Sequence, residues 1–184
     1  MRYRLFIAAD IDDAARAACA HVAETMRAKD WAARWVAPEN YHLTVAFLGG
    51  VDDERIAALT AAAREAAVSV RAFDVPLEIV GAFPNARKPR LAWIGPAAAV
   101  AAFGALCDAV RCPLAVLGFT FEPHSDAHVT LARSDGRAAL PAVEAPQIAP
   151  QRIASVTLYA SFTERTGARY VVLDRFAFAA SPDS

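Results

Sequence analysis

Hydrophobic and polar residues along this chain switch between two periods, one near two and one near 3.6. Residues 3–10 hold Leu5, Phe6 and Ile7 in a short apolar run that predicts a strand. Asp12 and Asp13 then suit a helix start, where carboxylates complement the dipole, and the helix runs to about residue 28. Ala18, Val22 and Met26 form its stripe, with His21 on the flank. Trp31 and Trp35 lie in a connection that ends at the turn Pro38-Glu39-Asn40. A strand follows. In it His42, Thr44, Ala46 and Leu48 share one face by strict alternation, and Leu43, Val45 and Phe47 the other.

Gly49-Gly50 is expected to close that strand, and Asp52 or Asp53 to cap a second helix with Ile56, Leu59, Ala63, Ala66 and Val70 at helical spacing. Residues 73–83 read as a strand that Pro76 confines to an edge or a bulge. The basic loop Pro84 to Pro89 and the return Arg90 to Ile94 make a hairpin. A third helix is expected over 97–111, stopped at Cys112-Pro113. A loop through Pro123 reaches a second strand at His128, closed by Ser134-Asp135-Gly136. After a connection with Pro141, Pro146 and Pro150, Ile153 to Phe162 and Arg169 to Phe178 alternate as a last hairpin, and residues 181–184 are a frayed tail. Strand pairs with helices between them imply an α+β fold: two pseudo-symmetric lobes of largely antiparallel sheet with outer helices, in one domain spanning 1–184.

The chemistry stands out against that frame. His42-Leu43-Thr44-Val45 is repeated as His128-Val129-Thr130-Leu131, in a chain with only four histidines. Each copy turns its apolar pair into a core and its His-x-Thr pair the other way. One strand from each lobe would therefore present an imidazole and a hydroxyl to a central cleft, a set suited to acid–base chemistry on an anion.

Composition narrows the partners. A net charge of −1 argues against a protein that tracks along many phosphates, and the short clusters Arg87-Lys88-Pro89-Arg90 and Arg165 to Arg169 suit a grip on one phosphate or strand end. Apolar residues make up 56% of the chain, yet no run of about 18 spans a membrane, and the N-terminus is too polar for a signal peptide. Cys19, Cys107 and Cys112 form no C-x-x-C pair and read as reduced thiols of a cytoplasmic protein.

The chain resembles the two-histidine (2H) phosphoesterases, and within them the bacterial RNA 2′,3′-cyclic phosphodiesterases, also called 2′-5′ RNA ligases. The resemblance rests on Arg4 to Ala8, on Arg34-Trp35-Val36-Ala37-Pro38-Glu39-Asn40-Tyr41-His42-Leu43-Thr44 with Phe47-Leu48-Gly49, and on Gly81-Ala82-Phe83-Pro84. It continues through Pro89 to Trp93, Leu117-Gly118-Phe119, His128 to Arg133, Leu158 to Ser161 and Gly167 to Tyr170. The family usually has Phe-x-Pro directly before the second His, where this chain has Ser125-Asp126-Ala127. His124 therefore competes with His128, and Thr at +2 and Arg at +5 favour His128.

The resemblance implies hydrolysis of RNA ends or small cyclic nucleotides to 2′-phosphates, with reversible 2′-5′ ligation as an accompanying activity and neither metal nor cofactor. It implies His128 as general base, His42 as general acid, Thr44 and Thr130 as donors to the phosphate oxygens, and Arg133 as a phosphate ligand. Strict alternation sends Arg133 to the wrong face, so a bulge or the strand end must turn it inward. Phe47 is by parity a core residue, and Arg87, Lys88 and Arg90 are candidates for guiding RNA. The expected assembly is a monomer. Two rivals stay open: a zinc enzyme using His124, Asp126 and His128, and a non-catalytic binder of RNA ends.

Overall fold

The first apolar run forms β1 (Arg2–Asp10), and the helix expected after it is α1 (Asp13–Arg27). Asp12 caps α1 by accepting from the Ala15 N–H at 2.7 Å. The short strand β2 (Arg34–Trp35) and a 3-10 turn (Pro38–Asn40) lead into β3 (His42–Asp52), then α2 (Asp53–Ala67). The remaining elements are β4 (Phe73–Val75), β5 (Ile79–Phe83), β6 (Leu91–Gly95), α3 (Ala101–Val116), β7 (Val129–Arg133), β8 (Gln151–Ile153), β9 (Ser155–Glu164) and β10 (Gly167–Ala177). This computed structural model describes residues 1–122, 126–165 and 167–180. His124, Thr166 and the tail from 181 onward lie outside the described residues.

Seven strands form one antiparallel path, β10-β9-β1-β3-β7-β6-β5, and β2 pairs with β7 off that path. The two lobes are therefore halves of a single sheet, joined where β3 meets β7. β3 and β7 share one ladder pair, Leu43 with Val129, both fully buried. β4 and β8 form a separate two-stranded sheet. The core collects Leu5, Ile7, Leu43, Val45, Leu131 and Leu158 with the apolar stripes of the helices, including Leu59, Phe103 and Leu106.

Four expectations need correction. Gly49-Gly50 does not end β3, which runs on to Asp52 beside the long β1; Gly49 takes φ 68, a conformation open to glycine, next to a bulge at Leu48. The segment 73–83 is two strands in two sheets, split around Pro76, which has no N–H to give a ladder. Pro113 lies inside α3, which starts at Ala101 and continues to Val116. Its missing N–H costs a helical bond, but buried Val110 and Leu114 keep the stripe docked through it. The fourth correction concerns Phe47 and bears on the site.

Candidate active site

Pairing Leu43 with Val129 pairs the central residue of one His-x-Thr unit with the central residue of the other. Because the strands are antiparallel, one step either side sets His42 opposite Thr130 and Thr44 opposite His128, all on the face away from the core. A local two-fold passes between Leu43 and Val129. It leaves the two histidines as diagonal neighbours, about 7–8 Å apart at Cα.

The same irregularity follows in both strands. The register of β1 against β3 skips Val45, passing from Ala8–Thr44 to Ile7–Ala46. The register of β6 against β7 skips Leu131, passing from Trp93–Thr130 to Ala92–Ala132. Each bulge sits three residues after its histidine. Val45 and Ala46 are both buried, as are Leu131 and Ala132, and the alternation resets beyond them. Arg133 thereby joins the face of Thr130. By the same step Phe47 leaves the core face to which strict parity assigned it. It is 48% exposed and lines a cavity with Thr44 and His128.

Both imidazoles are oriented alike. Nδ1 of His42 donates to the Asn40 carbonyl at 2.7 Å, and Nδ1 of His128 donates to the Asp126 carbonyl at 2.8 Å, each two residues back. That leaves each Nε2 as the reactive nitrogen, and Nε2 of His42 accepts from the Thr44 hydroxyl at 3.1 Å. The carbonyl that holds His42 is itself fixed. The Asn40 side chain donates to the Ala168 carbonyl at 2.7 Å, and Arg16 donates to the Pro38 carbonyl at 2.6 Å.

Their surroundings differ. His42 rests on Phe6 (4.9 Å between ring centroids) with Tyr170 edge-on at 5.5 Å, and Tyr159 stacks on Phe6 at 5.1 Å. Its ladder partner is Asp10, which accepts from Thr157 at 2.9 Å, from Arg175 at 3.0 Å and from the Tyr159 hydroxyl. Burial pushes the His42 pKa down to about 4, against the opposing pull of the Asn40 carbonyl and the Asp10 carboxylate. Burial also raises the Tyr159 pKa to about 12, helped by Asp10.

His128 meets Phe83 edge-on at 5.3 Å, and Phe83 stacks on Trp93 at 5.3 Å. Trp93 lies flat across Gly81, where a Cβ would come within 2.3 Å of the indole. Burial lowers the His128 pKa as well, the Asp126 carbonyl and carboxylate oppose it, and the Arg133 guanidinium adds to the depression. Beside His128 opens a cavity of about 610 Å³, lined by Thr44, Phe47, Phe83, Arg111, Phe121 and His128 among others.

His42, Thr44, His128, Thr130 and Arg133 thus share one face. His124 lies outside the described residues. Among those described, no group of three or more His, Cys, Asp or Glu side chains is placed to hold a metal ion. No helix is long and apolar enough to cross a membrane. Sequence reasoning gave no role to Asp10, Tyr159, Tyr170 or Phe83. The parity of β1, which sets Phe6, Ala8 and Asp10 on one side, was the available signal for the first of these.

The family described as LigT-like phosphoesterase matches residues 7–93. The RNA 2′,3′-cyclic phosphodiesterase of Archaeoglobus fulgidus is 35% identical, over 71% of this chain and 72% of that protein. Its counterpart in Aeropyrum pernix is 30% identical, over 79% of this chain and 86% of that protein. Among solved structures, E. coli LigT complexed with 3′-AMP is 30% identical, covers 98% of this chain and all of its own (100%), and superposes with a TM-score of 0.80.

Proposed function

This chain belongs to the LigT-like phosphoesterase family, and we propose that it hydrolyses 2′,3′-cyclic phosphates at RNA ends to 2′-phosphates. The observation that carries the reading is the Leu43–Val129 pair, which gathers two imidazoles and two hydroxyls around one point on the cleft face. A cyclic phosphodiester centred there has a histidine Nε2 on each side and a threonine hydroxyl for each non-bridging oxygen.

In this reading His128 takes a proton from water as the oxygen attacks phosphorus, opposite the bond to the ribose 3′ oxygen. His42 gives a proton to that departing oxygen, and the phosphate stays on the 2′ oxygen. The Asp10 carboxylate favours a cationic His42, which suits an acid there, while at His128 the Asp126 carboxylate and the Arg133 guanidinium pull in opposite directions. Thr44, Thr130 and Arg133 stabilise the charge that grows on the phosphoryl oxygens. The face of Phe47 supplies a platform for the nucleobase inside the adjoining cavity. A 5′-hydroxyl in place of water would run the opposite reaction and leave a 2′-5′ linkage, while abundant water favours hydrolysis.

Product analysis on an oligonucleotide ending in a 2′,3′-cyclic phosphate tests this, with and without a chelator. The expected product is the 2′-phosphate at an unchanged rate in the chelator. A 3′-phosphate product would refute the roles given to the two histidines. Activity lost to the chelator together with bound zinc would favour a metal enzyme, and binding without turnover would favour an RNA-end binder.

A further inference from the structure

The two residues of β2 pair with the end of β7, Trp35 with Ala132 and Arg34 with Arg133. Residues directly opposite on neighbouring strands project from the same face. Trp35 goes with buried Ala132 toward α1, where Trp31 meets it edge-on at 5.9 Å and the Arg27 guanidinium lies 5.1 Å over its ring. Arg34 therefore projects the other way, onto the cleft face beside Arg133. The strand is pinned there by the Val36 N–H, which donates to the Leu131 carbonyl at 2.9 Å.

Two exposed arginines thus occupy directly opposite ladder positions. Like charges in that arrangement destabilise a sheet unless something neutralises them. None of the ion pairs among the described residues involves either one. On β6, Thr130 is matched by Trp93 and Arg133 by Leu91, so the arginine row lies two residues, about 7 Å, beyond the row of Thr130. It lies at the end of the cleft away from the Phe47 cavity. An anion next to the reacting phosphate, and distinct from it, fits this place.

We propose that Arg34 binds the phosphodiester immediately 5′ of the reacting nucleotide, while Arg133 beside it serves the reacting phosphate. The site would then read a polynucleotide end and not only a cyclic mononucleotide. The proposal rests on the hydrolytic reading above.

The test compares a dinucleotide ending in a 2′,3′-cyclic phosphate with a nucleoside 2′,3′-cyclic phosphate, using wild type, Arg34→Gln and Arg34→Lys. Arg34→Gln should lower kcat/KM on the dinucleotide about tenfold, mainly through KM, and stay within about twofold of wild type on the mononucleotide. Arg34→Lys should recover part of the loss. The salt dependence of KM on the dinucleotide should weaken with Arg34→Gln, one charge–charge contact having gone. Equal losses on both substrates, or none on either, would overturn the subsite. If wild type turns over neither substrate, the hydrolytic reading is what fails. The subsite is then read from affinities for the dinucleotide 2′-phosphate and the nucleoside 2′-phosphate. A dinucleotide preference that disappears in Arg34→Gln upholds it, and one that is absent or unchanged overturns it.

Discussion

The surroundings of His42 and His128 are built from the same parts but draw their charges from different places. Both rings give Nδ1–H to the carbonyl two residues back, both have threonine at +2, and both strands bulge at +3. At +5 the likeness ends, with Phe47 in one strand and Arg133 in the other. Across the ladder His42 meets the Asp10 carboxylate, whereas at His128 the Asp126 carboxylate, two residues back in its own chain, is opposed by the Arg133 guanidinium. The lesson is a division of labour. Backbone symmetry sets the two imidazoles alike on one face, and in the proposed mechanism their different neighbours let one act as acid and the other as base.

The largest effect should come from breaking the symmetric part. His42→Ala and His128→Ala should each lower kcat about 10³-fold while circular dichroism stays native, since each removes one of the two proton transfers. A variant that keeps substantial turnover would take its histidine out of the pair.

Exchanging what differs should separate binding from chemistry. Phe47→Ala should raise KM for an RNA end about tenfold and leave kcat nearly intact, because the loss is one stacking surface. Arg133→Ala should act mainly on kcat, having removed a charge aimed at the transition state. Identical kinetic signatures would mean that the two +5 positions do the same job.

The finest effect is in pH. The proposed mechanism needs His42 protonated and His128 neutral, and burial holds His42 to about 4, well below the ordinary 6.5 of an imidazole. The protonated fraction of His42 falls with rising pH, so kcat/KM should peak on the acid side of pH 6.5 and decline through neutrality. Asp10→Asn removes a charge that favours the imidazolium and lowers the His42 pKa further, so the protonated fraction of His42, and with it kcat/KM at neutral pH, should fall. An unchanged kcat/KM at neutral pH would detach Asp10 from His42. Stability has the opposite sign. The unfolded chain binds these protons more tightly than the fold, so the urea midpoint should drop as pH falls from about 6.5 toward 4.

Much of this was legible in the residues. The repeated His-x-Thr units, the apolar phase around them and the Asp12 cap of α1 are local features, and the first two foretold both strands and the shared face. The bulges were not local. Nothing in Val45-Ala46 or Leu131-Ala132 announces that a neighbouring strand skips a residue there, so alternation carried past them misplaced Phe47. For Arg133 the need for such a break could be stated, because its role was already suspected. Asp10 and Tyr159 were hidden for another reason: they are 149 positions apart and meet only because β9 pairs with β1. Pro113 misled in the other direction, a helix stop outweighed by the buried residues around it.

The seam between the two half-sheets is narrow at the histidines and braced around them. β3 and β7 share one ladder pair, but the β2–β7 ladder, the packing of α2 on α3 and the bond from Arg111 to the Val45 carbonyl at 2.8 Å tie the halves together on both sides. The spacing of the two imidazoles is therefore held by the scaffold and does not depend on that one pair.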